Sequence, residues 1–209
     1  LLRIYNNGLD KQRVTFEHEV LKLLHDQQPD LSFMVPNMIP AKNSGQETFV
    51  TLSNKAEACM VDLIPGELPK LSCVEDIGRA CGELNTAMGK LTGMTTECNC
   101  PPYYYMWENH KAVTRENFIE VMNGPDFDGN LRPFADFMRD YVLEMDEKIE
   151  GEYKGLPEQL IHGDMHYDNI LVDKAAEKVT GILDFEFVMY DWRAMELAIC
   201  LSKYAGEDG

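Results

Sequence analysis

Residues 161–173, IHGDMHYDNILVD, set two histidines, three aspartates and an asparagine between aliphatic runs, and no other stretch of the chain restricts the fold as much. Ile161 and the run Ile170, Leu171, Val172 read as buried strand, so the polar groups between them stand at the edge of a core and not on a solvated loop. A second short apolar strand, Val179 to Leu183, follows a polar turn around Lys174 to Glu177. The two strands predict a hairpin that Asn169 enters and Asp184 leaves.

The rest of the chain reads as further short strands and helices. An opening apolar strand, LLRIYNNG, ends at Asn-Asn-Gly, residues that tolerate the positive φ of a tight turn. Val14, Val20, Leu21 and Leu24 then recur near helical spacing, with Glu17 and Glu19 between them, which predicts an amphipathic helix of three or four turns. A strand is expected from Ala58 to Leu63, stopped by Pro65 and Gly66, and Pro-Gly-Glu-Leu-Pro is the candidate hinge between lobes. Ser72 stands three residues before Glu75, a capping-box spacing, ahead of an apolar face formed by Val74, Ile77, Cys81, Leu84, Met88 and Leu91. Residues 93–114 form a long irregular connection. A further helix is expected from Leu131 to Ile149, with Phe134, Met138, Tyr141, Val142 and Met145 in line, and a last one over RAMELAICLSKY. No internal repeat or low-complexity stretch is present.

A chain of 209 residues with 44% hydrophobic composition is long enough for one substantial core, or for two lobes sharing an interface. Its 36 acidic and 19 basic residues leave a net charge of -17, which repels phosphate backbones and anionic lipid alike and argues against nucleic-acid or membrane binding. No apolar run approaches the roughly 20 residues needed to cross a bilayer, and no leader precedes the first strand, so a cytoplasmic location is expected. The six cysteines then read as free thiols, and Cys98-Asn-Cys100 lacks the two-residue spacer and the second ligand pair of a zinc site.

Antiparallel pairing at the hairpin brings together an amide oxygen from Asn169 and a carboxylate from Asp184, hard ligands of the kind magnesium takes, with Asp164 five residues ahead of Asn169. Phosphoryl transfer needs such a set, one acidic group facing an attacking hydroxyl and others holding a metal at the phosphates. HGDMHYDN followed by ILDFE resembles the His-x-Asp-x4-Asn and Asp-x-Glu signature of the aminoglycoside phosphotransferase and choline kinase superfamily. The text LPEQLIHGD and DFEFVMYDWRAMELAICLSKYA is especially similar to homoserine kinase type II-like proteins of that superfamily, and the resemblance runs from Leu2 to Ala205.

The resemblance implies an α+β, two-lobed, protein-kinase-like fold. Residues 1–64 would form a partial N-lobe with the nucleotide-binding sheet and helix, and 65–209 a mainly helical C-lobe carrying the catalytic loop and metal-binding hairpin. It also implies ATP and magnesium as cofactors. Asp164 would be the catalytic base, His162 would orient its loop, and Asn169 and Asp184 would be magnesium ligands. Arg3 would stand where the family has a basic residue, usually Lys, paired with a helix glutamate that falls on Glu17. Adenine would meet the linker backbone at Asp62 and Ile64. His166 is left between a γ-phosphate contact and a surface residue, and Glu186 between a second metal and a backbone contact, while Asp191, Arg193 and Glu196 read as an ion network anchoring the last helix. The family's Gly-rich phosphate loop, expected ahead of Arg3, and its C-terminal helices have no counterpart here, which reads as a piece of a longer chain. The implied activity is transfer of the γ-phosphate of ATP to the hydroxyl of a small metabolite, homoserine first. A cationic alcohol such as choline or an aminoglycoside is the alternative, favoured by the acidic charge and by Tyr103, Tyr104, Tyr105 and Trp107. A catalytically silent nucleotide-binding scaffold is the other. The sequence leaves the oligomeric state open.

Overall fold

The computed structural model describes residues 1–6, 10–42, 47–175 and 177–204, and they form two compact units, one of residues 1–99 with 159–209 and one of residues 100–158. Asn7 and Gly8 of the expected first turn, and position 176 of the hairpin turn, lie outside the described residues.

The first unit begins with a four-stranded antiparallel sheet. Its central strand β4 (Glu57–Val61) pairs with β1 (Leu2–Ile4), β2 (Met38–Ile39) and β3 (Val50–Thr51). Helix α1 (Lys11–Gln27) has 17 residues, longer than the periodicity alone predicts, because Asp10 caps it by accepting the Arg13 N–H at 3.0 Å. One face of α1 sends Val14 to a small cluster with Tyr5, Cys59 and Val61 under the sheet. Phe16, Val20, Leu21 and Leu24 join the larger core built from α2 (Val74–Met88) and the hairpin. The expected capping box at Ser72 does not form. A single 3-10 turn, Leu71–Cys73, leads into α2, and the Ser72 hydroxyl donates to Glu177 at 2.9 Å instead.

Strand β5 (Glu158–Ile161) delivers the polar segment, and the hairpin follows as β6 (Ile170–Asp173) and β7 (Lys178–Ile182), antiparallel, with Ile170 opposite Ile182. Buried Asp76 of α2 ties the hairpin down by accepting the Val179 N–H at 2.8 Å and the Lys178 ammonium at 2.9 Å. The proposed hinge is bound to the same hairpin: Glu67 and Val172 exchange backbone hydrogen bonds of 3.0 and 2.9 Å. Gly66, at φ +152°, is needed there, since a Cβ would meet Thr180 Oγ1 at 2.6 Å and Leu171 Cβ at 2.8 Å. Strand β8 (Met189–Trp192), which periodicity misses, pairs with β5, and α5 (Arg193–Tyr204) follows directly.

The second unit holds α3 (Arg115–Asn123), absent from the sequence expectation, and α4 (Arg132–Glu150). Arg132 donates to the carbonyls of Met122 and Gly124 at 2.7 and 2.6 Å, closing the end of α3. The apolar row on α4 is present but not buried: Phe134, Met138 and Tyr141 remain exposed, and Ala135 is the helix's buried residue. Tyr104 donates to Glu158 at 2.7 Å, and Trp107 to Asp146 at 2.8 Å. Asp146 also engages Arg115 at 3.1 Å, so Arg115 already has a carboxylate partner. Among the described residues no helix is long and apolar enough to cross a membrane.

Candidate active site

The loop between β5 and β6 is locked to the segment after β7 by a chain of contacts that starts at Gly163. This glycine has φ +80°, and a Cβ on it would stand 2.3 Å from the Phe187 carbonyl oxygen, so the close approach of loop and segment needs glycine. His162 is fully buried. Its Nδ1 accepts the Asp164 N–H at 3.2 Å, which places the ring proton on Nε2, where it donates to the Leu183 carbonyl at 2.8 Å. The ring meets Phe185 edge-on at 4.6 Å between centroids. From α5, Glu196 accepts the backbone N–H groups of Gly163, at 3.2 Å, and of His162. Burial pushes its carboxyl above the usual range, and its other oxygen, Oε1, has no hydrogen-bond partner among the described residues. Glu196, expected in an ion network with Asp191 and Arg193, turns instead to the loop after β5, and Asp191 accepts the Trp192 N–H at 2.6 Å. There it pairs two backbone N–H groups of the core that would otherwise be buried without an acceptor.

Asp164 has one oxygen held and one open. Its Oδ2 accepts from Asn169 Nδ2 at 2.9 Å and from His166 Nε2 at 3.1 Å, and no hydrogen bond among the described residues falls on Oδ1. His166 is oriented in turn because its Nδ1 accepts the Asp168 N–H at 3.3 Å, capping the 3-10 turn Tyr167–Asn169. The contact His166 makes here, to Asp164, is one that neither alternative of the sequence reading named. Asn169 also donates to the Asp164 carbonyl at 2.9 Å, so its own amide oxygen faces away from Asp164. The Asn169 carbonyl accepts the Leu183 N–H at 2.8 Å, which joins the Asp164 loop to the chain entering Asp184.

Asp184 has a left-handed backbone, φ 60° and ψ 69°, which is unusual for a residue other than glycine. Arg3 of β1 meets it there. One guanidinium nitrogen donates to Asp184 Oδ1 at 2.6 Å and to Glu186 Oε2 at 3.0 Å, while the other donates to Glu17 Oε1 at 3.0 Å. The Arg3 plane lies 4.5 Å from the centre of the Tyr5 ring. Burial disfavours its charge, but the neighbouring Glu17, Asp184 and Glu186 carboxylates outweigh that and hold it more firmly protonated than free arginine.

Glu17 is buried among these groups, with no hydrogen-bond partner for Oε2 among the described residues, and burial, offset in part by Arg3, pushes its carboxyl up to about 7. At neutral pH the Arg3–Glu17 contact therefore sits between an ion pair and a neutral hydrogen bond. The folded chain keeps this proton over a range in which the unfolded chain has released it. Its contribution to stability is full below the ordinary glutamate range and falls as pH rises to about 7, by about 3 kcal/mol in all. Denaturant midpoints measured from pH 4 to 8 should show that decline in the wild type and a flatter profile in Glu17→Gln. Equal slopes would contradict it.

Asp62 donates its N–H to the Asn37 carbonyl at 3.1 Å, and no hydrogen bond among the described residues uses its carbonyl or the Ile64 N–H. Neither residue bonds to the Arg3 or Asp164 clusters. No group of three or more His, Cys, Asp or Glu side chains among the described residues is arranged to hold a metal ion. The oxygen donors on offer are the Asn169 amide and the Asp184 carboxylate, a small set that suits magnesium, which keeps waters and substrate phosphates as its other ligands.

The family model described as the phosphotransferase enzyme family matches residues 1–209. The chain belongs to the phosphotransferase enzyme family. Among its relatives, the homoserine kinase of Afipia carboxidovorans is 26% identical over 174 residues, 80% of this chain and 47% of that protein. The chain thus spans about half the length of the curated relatives it matches. Of solved structures, the microcompartment-associated aminopropanol kinase superposes with a TM-score of 0.72 at 16% identity, over 99% of this chain and 63% of the other. An amicoumacin kinase in complex with AMP-PNP, Ca2+ and Ami gives 0.65 at 13% identity, over 97% and 56%. These likenesses place the phosphotransferase chain in a kinase-like α+β fold, as the sequence resemblance implies. Two side chains of the site make contacts that the sequence reading did not give them, His166 as the partner of Asp164 and Glu196 as the anchor of the loop. His166 lies two residues from Asp164, a local signal. Glu196 has none, being 34 residues away from its target.

Proposed function

We propose that the chain carries the catalytic half of an ATP-dependent phosphotransferase that acts on the hydroxyl of a small metabolite. The observation that carries this reading is Asp164, with Oδ2 fixed by two donors and Oδ1 open, in a loop bonded through Asn169 and Leu183 to the chain entering Asp184. A carboxylate so held is oriented to accept the proton of an attacking hydroxyl, and His162 and Glu196 hold its loop in register. Asn169 and Asp184 would hold magnesium, which when bound would neutralise charge on the phosphates. Arg3 would grip the α- and β-phosphates, exchanging Asp184 and Glu186 for phosphate oxygens, while Glu17 keeps its other edge fixed. Adenine would pair with the Asp62 carbonyl and the Ile64 N–H.

Homoserine is the first acceptor in this reading, supported by the homoserine kinase relatives. A cationic amino alcohol is the second, supported by the acidic charge and the aminopropanol kinase likeness. A coupled ADP-release screen of homoserine, amino alcohols, choline and aminoglycosides on the full-length protein separates them. Homoserine should raise ADP release well above the rate with water alone. A rate no faster than water discards homoserine, and nucleotide binding without turnover on any acceptor favours a silent scaffold.

A further inference from the structure

Arg13 is a buried arginine that the catalytic reading leaves without a role. It lies in the first turn of α1, one turn ahead of Glu17, and only 7% of it is exposed. Its Nε donates to the Glu186 carbonyl at 2.6 Å, its Nη1 is buried with no acceptor among the described residues, and no carboxylate among them lies within ion-pair distance of it. A buried guanidinium held by a single carbonyl, with a spare donor, is a poor device for stability, because an unmet buried donor costs more than one hydrogen bond returns. What the contact does accomplish is geometric. Arg3 joins α1 to the segment after β7 through side chains, from Glu17 to Asp184 and Glu186, and Arg13 joins the same two elements through the main chain. On its opposite side that segment is stopped by Gly163 against the Phe187 carbonyl.

We propose that Arg13 is a positioning residue that pins the 185–187 turn to α1, so that Asp184 and the Arg3–Glu17 pair keep one register. Its effect on catalysis rests on the phosphotransferase reading; its effect on the turn does not. The test uses Arg13→Met, which keeps the packing, and Arg13→Lys, which keeps the charge without the Nε donor, in the full-length protein. Hydrogen exchange of amides 184–188 should quicken in both variants while α2 amides stay protected, and magnesium-dependent affinity for ATP should fall roughly tenfold or more. In an Asp184→Ala background, Arg13→Met should add no further loss of that affinity, which a merely structural residue would still cause. Unchanged exchange at 184–188, or a full additive loss in the double variant, overturns the assignment. Faster exchange in a protein whose wild type shows no nucleotide binding supports the pinning role and removes the phosphotransferase reading instead.

Discussion

Asp164→Asn is expected to lower turnover by at least roughly 100-fold while leaving ATP affinity unchanged. The substitution is nearly isosteric. Asn169 Nδ2 and His166 Nε2 both donate to Oδ2, so the new amide would place its oxygen there and its NH2 group where the open Oδ1 stands. The loop keeps its shape, since His162 and Glu196 hold it through main-chain contacts that do not involve the Asp164 carboxylate. What disappears is the group able to accept a proton from a hydroxyl. Initial rates with saturating acceptor, set beside nucleotide affinity from calorimetry, check both halves. Unchanged turnover would remove Asp164 from the mechanism, and lost ATP affinity would mean that the loop had moved.

Asp184→Ala should act with opposite signs in the presence and absence of magnesium. Without the metal, Asp184 is one of three carboxylates on Arg3, at 2.6 Å, and competes with any phosphate for that guanidinium. Its removal should leave metal-free nucleotide affinity equal or tighter. With magnesium, the variant lacks the charged member of the Asn169 and Asp184 pair, and affinity should fall by at least the roughly 10- to 100-fold that even outer partners of a metal site contribute. Titrations with and without magnesium, at fixed ionic strength, measure the two signs separately. A wild type that binds nucleotide equally well in both conditions would sink the ligand pair.

Several features were legible because they are local. Alternating aliphatic runs on either side of a polar turn specify a hairpin, and Ile170 does lie opposite Ile182 in it. Asn169 and Leu183 meet across its open end for the same reason. The core faces of α1 and α2 followed from a 3.6-residue period, which each helix expresses within its own span. The Ser72 cap failed because a capping box is a local preference, worth about 1 kcal/mol, and Glu177 offered the hydroxyl a partner from the hairpin turn. The α4 row was read correctly as apolar and the structure leaves much of it exposed, since periodicity reports which face is apolar and not whether anything covers it.

The residue types of the site, and the spacing of Asp164, Asn169 and Asp184, were determined by the sequence itself: each group lies within a few residues of a strand end whose geometry is set by backbone sterics and hydrophobic alternation. The partners of those groups were decided by the tertiary structure alone. Arg3 reaches Asp184 across 181 positions, Arg13 reaches the Glu186 carbonyl across 173, and Glu196 caps His162 from 34 positions away. No periodicity encodes such pairings. They arise when the packing of α1, the hairpin and α5 onto one core buries charges and bare N–H groups side by side, where each must be matched because water no longer reaches it.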